Sequence, residues 1–515
     1  MILSLRRFLA LAIGIGPPLC AQLGPSGGGS APTRAQQLPL SGRRQGSSVG
    51  IGQSTAGGAG TGSVNTLNST IQVQGDLQGS LPGKDPVTKE PLSLTLAQAV
   101  KRGLQFNLSA LVSNTAQREA NAERLGARAQ LLPDVSGDLR EAVQQINLAA
   151  SGLRFPSISF APGLPGFKFP SIVGPYNYFD LRASLSQSVA DLTRLHNYRS
   201  SKESARAAGM SLLDSRELIV LAVTGTYLQV IAAESRVATA RAQIATAQAA
   251  YTQAFDRNKS GLNARIDVNR SLVELQTQQQ RLNSLLNDLA KQKISFARLI
   301  GLPLSQPISL TDTRPFNPNE TLSGLDEMIG LAWDQRPDVR AASAQVRAAE
   351  EARRAATSEY LPSLSFNADY GVIGVNPAQS HGTFTVTGNL HVPIFRSGRI
   401  KADVEQASAV LAQRSAELED IRGRAEQDVR NAQLDVNTAS EQIRLAESNR
   451  RLAADTLEQA RDRFSAGLAD TVELVQAQES LATAEQDYIS AMYSYQLARA
   501  GLARAVGEAE KSIRP

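Results

Sequence analysis

The chain has 515 residues and a formal charge of only +5, with 53 Lys and Arg interspersed among 48 Asp and Glu. It has no basic stripe with interleaved aromatics, which argues against a nucleic-acid partner. Aromatic residues are 5 % and Trp occurs once, so a thick globular core is excluded, and helices burying Ala, Leu and Val along narrow seams fit better.

At the N-terminus, Arg6 and Arg7 precede the apolar run Phe8 to Ile15. That run is too short to span a bilayer and reads as a secretory signal. Cleavage after Ala21 removes residues 1–21 and with them Cys20, the single cysteine. A lipoprotein signal acylated at Cys20 is the alternative, although Pro17, Pro18 and Leu19 suit it poorly. Residues 22–91 are rich in Gly, Ser, Gln and Thr and predict a flexible arm, with a short extended piece around Ile71 to Leu77. No later stretch reaches about 18 continuous apolar residues, so a membrane crossing would require a closed β-barrel.

The first ordered repeat is expected over 92–301. A helical segment from Thr95, broken near Asn107, ends at Leu131-Leu132-Pro133. Strands follow at about 134–148 and 178–189, around a Gly- and Pro-rich loop. A long helix then covers about 190–257, and Lys259-Ser260-Gly261-Leu262 turns the chain into a return helix. Residues 302–323 form a linker. The second repeat, 324–510, has the same order: a helix to Tyr360-Leu361-Pro362, strands at about 362–373 and 383–394, a long helix over about 396–463, the turn Ser465-Ala466-Gly467-Leu468, and a return helix before the tail 511–515. The second pair of strands is the clearest, since Leu364, Phe366, Ala368, Tyr370 and Val372 alternate with mostly polar neighbours. Each long helix would be roughly 100 Å at about 1.5 Å per residue. Gly261 and Gly467 are placed to cap these helices.

The long helices carry duplicate heptads. Val223, Val230, Val237, Ile244 and Tyr251 recur every seventh residue, each followed three positions later by Thr226 or by Ala233, Ala240, Ala247 and Ala254. The second copy reads Val429, Val436, Ile443, Arg450 and Leu457, with Ala432, Ala439, Ala446, Ala453 and Ala460. A seven-residue apolar period means helices supercoiled on neighbours, and alanine in the seam lets backbones approach. Four strands per chain are too few to close a barrel around a pore, so closure needs several copies. The fold class is therefore mainly α with a small β part: duplicated antiparallel coiled-coil hairpins plus four strands.

The stretches Arg257-Asn258-Lys259-Ser260-Gly261-Leu262-Asn263-Ala264-Arg265-Ile266-Asp267-Val268 and Arg463-Phe464-Ser465-Ala466-Gly467-Leu468-Ala469-Asp470-Thr471-Val472-Glu473-Leu474 carry a resemblance. So do Val392-Pro393-Ile394-Phe395-Arg396-Ser397-Gly398-Arg399 and the two Leu-Pro corners. In this order, twice over and behind a signal peptide, the chain resembles the TolC-type outer-membrane efflux protein family across about 92–510. The resemblance implies a homotrimer with a shared 12-stranded transmembrane β-barrel in outer-membrane lipid and a helical α-barrel in the periplasm. It implies a periplasmic adaptor protein and an inner-membrane pump as partners, in efflux or type I secretion. It makes Lys259, Ser260, Gly261, Leu262, Ser465, Ala466, Gly467 and Leu468 the adaptor-docking tips. Asp267 matches a family gate aspartate whose Tyr and Arg partners are Phe464 and Ala469 here, so that lock is missing its hydroxyl and guanidinium; Arg257, Arg265 or Arg463 could substitute. Glu473 and Gln476 match two pore-constriction aspartates. One acidic ring at Glu473 would favour cations, and a carboxylate that simply suits a helix start is the equal alternative for it and the favoured one for Asp267.

No catalytic, cofactor-binding or metal site is expected. His196, His381 and His391 lack ligand spacing, and Gly371-Val372-Ile373-Gly374 is not followed by a helix, as a phosphate loop would be. Phe155, Tyr176, Tyr178 and Phe179 could form an aromatic girdle at a membrane interface or be ordinary loop packing. The rival to a channel is a periplasmic coiled-coil adaptor or scaffold.

Overall fold

The computed structural model describes residues 48–55, 67–74, 79–81, 83, 88–148, 150, 152, 170–261, 264–311, 324–466, 468–469 and 471–511. The described residues fall in two compact units, one built from Arg128–Leu195 and Thr357–Gly398, the other from Gln36–Ala127, His196–Ala356 and Arg399–Pro515. The expected signal segment 1–21 and Phe155 lie outside the described residues, as do Leu262 and Gly467 of the two turns.

The arm is more structured than its composition predicts. β1 (Ser48–Thr55) and β2 (Leu67–Gln74) pair antiparallel. Further along, Leu81 N–H donates to Phe106 O at 2.9 Å, Gly83 N–H to Gly301 O at 2.8 Å and Thr88 N–H to the Gln306 side chain at 2.9 Å. The end of the expected flexible arm is thus tied to the first repeat. Its backbone pairs with groups at and just beyond helix C-termini, where carbonyls lack intrahelical partners. Composition alone does not reveal such a partner.

β3 (Leu92–Leu94) follows. α1 (Leu96–Phe106) opens with a capping box in which Thr95 and Gln98 satisfy each other's backbone N–H groups. The break falls at Asn107, which is fully buried and whose Oδ1 accepts from Ser109 N–H at 2.9 Å at the start of α2 (Leu108–Ala129). Next come β4 (Asp134–Asn147), β5 (Ile172–Ala190), α3 (Leu192–Lys259), α4 (Arg265–Leu299) and β6 (Ile308–Leu310). β6 pairs parallel with β3, a contact no local pattern announced. The second repeat has α5 (Leu325–Gln335) and α6 (Pro337–Ser358), β7 (Ser363–Gly374), β8 (His381–His391), α7 (Arg399–Ser465) and α8 (Thr471–Val506). Pro337 stands at the first position of α6, where a missing N–H costs nothing.

In the first unit the strands form one antiparallel sheet in the order β4-β5-β7-β8. β5 starts earlier than the sequence pattern suggested, taking in Ile172 to Asn177, which read as loop because of Gly174 and Pro175.

In the second unit the heptads are buried as the pattern requires. Val429, Val436 and Ile443 pack with Ala432, Ala439 and Ala446 against Ala491, Tyr495, Ala498 and Leu502 of α8. The first repeat uses Val223, Tyr227 and Val230 against Phe296, Ala297 and Ile300, closed by Leu96, Ala99 and Val100 of α1. Tyr227 and Phe296 meet edge to face at 5.9 Å. Gly103 is required there, since a Cβ would stand 2.7 Å from the Val223 side chain. Arg450, the odd member of its heptad, lays its guanidinium over the Tyr488 ring at 4.4 Å, a cation–π contact that lets a charge occupy the seam. α3 has one 18-residue window apolar enough to cross a bilayer by composition, but 72 % of it is buried inside the protein, so it serves as a core helix.

Contacts between the two hairpins include polar ones from α3 to α8, beside the packing of Ala250 on the α7–α8 cluster. Arg236 donates to Ser490 Oγ at 2.9 Å and Gln243 to Glu485 at 3.3 Å. Each hairpin is thus held within by apolar seams, and hydrogen bonds contribute to the contact with the other.

Candidate functional site

Two surfaces carry the chemistry: the tips of the helical hairpins in the second unit and the two faces of the sheet in the first.

At the first tip, α3 ends where Ser260 N–H bonds Asp256 O at 3.0 Å and Gly261 N–H bonds Asn258 O at 2.9 Å. Gly261 has φ +74°, a conformation that suits glycine, and a Cβ there would meet nothing within 4 Å. Lys259, Ser260 and Gly261 are all exposed. At the second tip, Ala466 N–H bonds Asp462 O at 2.9 Å and Leu468 N–H bonds Arg463 O at 2.8 Å. Ser465 and Ala466 are exposed, and Leu468 is 74 % exposed. Exposed Phe255 and Ile266 add to the apolar surface of the first hairpin end. Beside the first turn, Ala245, Gln248, Ala249, Thr252, Gln253 and Asp256 line one stripe of α3 along an open groove of about 680 Å³.

Asp267, Glu473 and Gln476 sit on the opening turns of the return helices, but not in one cluster. Asp267 is half-buried in the first turn of α4, its carboxylate 3.7 Å from Arg270 of the same helix. Glu473 lies in the first turn of α8 with its side chain 41 % exposed, 3.4 Å from Arg463. Gln476 is exposed. Of the three arginines that could replace the missing lock, Arg257 is the one that crosses between hairpins. It donates to Phe464 O at 3.0 Å and Ser465 O at 2.9 Å, and its guanidinium stacks over the Phe464 ring at 4.8 Å. Those carbonyls belong to the last turn of α7, where the helix dipole favours a cation. Phe464 is buried among Leu457, Ala460, Leu474 and Ala477, so the stack rests on a fixed platform. Phenylalanine in place of tyrosine removes a hydroxyl but leaves a ring for an arginine from the other hairpin. The sequence signal for this tie was the pair of Arg and aromatic residues at the ends of the two long helices.

The sheet has two unlike faces. Val135, Leu185, Ala368 and Val386 form one cross-strand row, Leu139, Leu181 and Val372 another, and Ala183, Tyr370 and Phe384 a third. Val135, Leu139, Tyr370, Phe384 and Val386 are exposed on this apolar face. The opposite face carries Asp138, Arg182 and Thr383 in one row and Ser136, Ser184, Asp369 and Thr385 in the next. Arg182 bonds Asp369, Asp180 at 3.3 Å and Thr383 at 3.4 Å. Tyr178 donates to Asp180 at 3.2 Å and Tyr176 accepts from Gln144 at 2.7 Å, so both tyrosines lie on the polar face. Phe179 is on the opposite, apolar face, which also carries Tyr370 and Phe384. The outer edges of β4 and β8 carry no partner strand among the described residues. Exposed apolar residues on one face, fixed charges on the other and two open edges suit a barrel wall between lipid and water.

Comparisons with known proteins agree with this geometry. The family model described as outer membrane efflux protein matches residues 328–508. The chain is 27 % identical over 325 residues to the pyoverdine export outer membrane protein OpmQ of Pseudomonas putida, a match covering 60 % of this chain and 63 % of that protein, so it spans less than two thirds of that relative. It is 24 % identical over 406 residues to the outer membrane protein TolC of Vibrio cholerae, covering 77 % of this chain and 87 % of that one. The outer-membrane channel OprN superposes with TM-score 0.66 at 19 % identity, over 80 % of this chain and 89 % of its own. The CmeC outer membrane channel of Campylobacter jejuni gives 0.66 at 17 % identity, over 80 % and 86 %. With its duplicated hairpins and two-faced sheet, the chain has the fold of these outer-membrane channels, and over residues 328–508 it is similar to the outer membrane efflux protein family.

Proposed function

We propose that this chain is the outer-membrane exit duct of a tripartite efflux or type I secretion system, conducting its substrates passively and catalysing no bond chemistry. Three copies would pool their sheets into one 12-stranded barrel, the polar faces lining water and the apolar faces meeting lipid. The observation that carries the reading is the four-stranded sheet, apolar on one face, charged on the other and open at both edges. A coiled-coil scaffold has no use for such a sheet. The tips would receive a periplasmic adaptor through Lys259, Ser260, Gly261 and Leu262 and through Ser465, Ala466, Gly467 and Leu468, and an inner-membrane pump would act with it. The exposed Leu468 and Ile266 give such a partner apolar surface to cover. Asp267, Glu473 and Gln476 would stand at the constriction, with Arg257 as the tie between hairpins.

The test is electron microscopy of the full chain extracted from outer membranes in detergent. A hollow three-fold cylinder well over about 100 Å long, the length the long helices imply at about 1.5 Å per residue, supports the duct. Solubility without detergent, or thin rods without a lumen, supports the scaffold and overturns the barrel.

A further inference from the structure

A second cluster of charges lies in the second unit, where α8 ends against α3 and the joint between α5 and α6. Arg504 is 6 % exposed; it bonds Asp214 and stands 3.3 Å from Glu217, both on α3. Arg336 is 5 % exposed and donates to both oxygens of Asp338 at 3.1 and 2.8 Å, to Asp428 of α7 at 2.9 Å and to Ala505 O at 3.4 Å. Around its edge, Arg216 makes a two-armed bond to Glu510, and Lys511 reaches Gln335 and Glu508. The contact is close. Gly507 has φ +89°, and a Cβ there would meet Arg336 backbone at 3.0 Å, while Ala509 is buried in the core of the first repeat.

Two buried guanidiniums therefore face three largely buried carboxylates, Asp214, Glu217 and Asp338, and the more exposed Asp428. Buried charge in excess of its partners is costly, and taking up a proton relieves it. The groups facing Glu217 are Asp214 on its own helix, Arg504 on α8, and Arg336 with Asp338 at the α5–α6 joint. Burial pushes the Glu217 carboxyl up to about 7, with Arg504 opposing and the charges of Asp214 and Asp338 adding to the rise. Burial also raises Asp214 against the pull of Arg504. At Asp338 burial is outweighed by the bonds from Arg336, which hold it below its ordinary value.

We propose that this cluster is a proton-operated clasp: one proton held by Asp214 and Glu217 fastens the end of α8 to α3 and to the α5–α6 joint, and its loss loosens residues 504–511. The clasped state binds the Glu217 proton more tightly than an opened state in which water reaches the carboxyl. The contribution is therefore complete below the ordinary value of 4.5 and is lost as pH rises through about 7. Asp338 sets the acid limit with the opposite sign, since its contribution is present above its ordinary 3.8 and is lost as pH falls through its lowered value. The clasp goes beyond the duct reading and does not depend on it.

The experiment is hydrogen exchange on the full chain in detergent at pH 5.5 and pH 7.5, corrected for the intrinsic pH dependence of exchange. Wild-type amides at 504–511 and 212–219 should lose protection by about tenfold at the higher pH, as one linked proton allows, while the tip segment 250–260 holds constant. Glu217→Gln and, as a second variant, Asp214→Asn should keep protection at both pH values. Equal wild-type protection at the two pH values, the same loss in both variants, or a loss shared equally by the tip would each overturn the clasp.

Discussion

Arg257 ties the end of the first long helix to the end of the second, and we propose this tie as the lock at the tips. Its guanidinium stacks on Phe464 and donates to two carbonyls that α7 leaves unpaired at its end. Arg257→Ala should raise the open probability of the channel in planar bilayers. Arg257→Lys should do so less, because an ammonium keeps the charge but not the planar fork; unchanged conductance in both would remove the tie from gating. Glu473 belongs to the same scale. Glu473→Gln should shift the reversal potential in a salt gradient toward weaker cation preference, and an unaltered potential would take the side chain out of the pore. Gly261→Val forces a branched residue into φ +74° at a cost of about 1–2 kcal/mol. With open space around the site, the damage should stay local: trimers that still assemble on native gels, with weaker export in cells.

At the scale of the element, the hairpin seam and the outer faces of the helices should respond very differently. Ile443 is fully buried in the α7–α8 seam, so Ile443→Ala should destabilise the protein by about 2–5 kcal/mol. Arg430 pairs with Glu426 one turn back on an exposed face, and Arg430→Ala should cost no more than about 0.5 kcal/mol. Thermal unfolding of the extracted protein checks both; similar losses would mean that α7 is not buried along one stripe. The heptads made this seam legible, because a period of seven is local and repeats. The polar contacts from α3 to α8 were not legible. Arg236 and Gln243 look like solvated positions until a helix more than two hundred residues away supplies Ser490 and Glu485.

For the whole molecule, the decisive feature is a sheet whose outer strands pair with no further strand among the described residues. Its open edges are β4 and β8. Cysteine pairs with one member on each edge strand should give covalent species on oxidation, and the ladder on a non-reducing gel should stop at three copies; monomers throughout would contradict a shared barrel. The sequence holds a single native cysteine, Cys20, and Cys20→Ser removes it before the pairs are introduced.

By itself the sequence determined the duplicated hairpins, the turns between them and the alternation of the second strand pair, because each depends on residues within a few positions of one another. Alternation of period two and apolar recurrence of period seven are backbone geometry written locally. Only the tertiary structure decided the pairing of β3 with β6, the fastening of Leu81, Gly83 and Thr88, the placement of Tyr176 and Tyr178 on the polar face, and the contact of Arg257 with Phe464 and Ser465. It alone assembled the buried cluster around Arg336 and Arg504. Hydrogen bonds and ion pairs depend on distance and direction between groups far apart in the chain, and no periodicity records them.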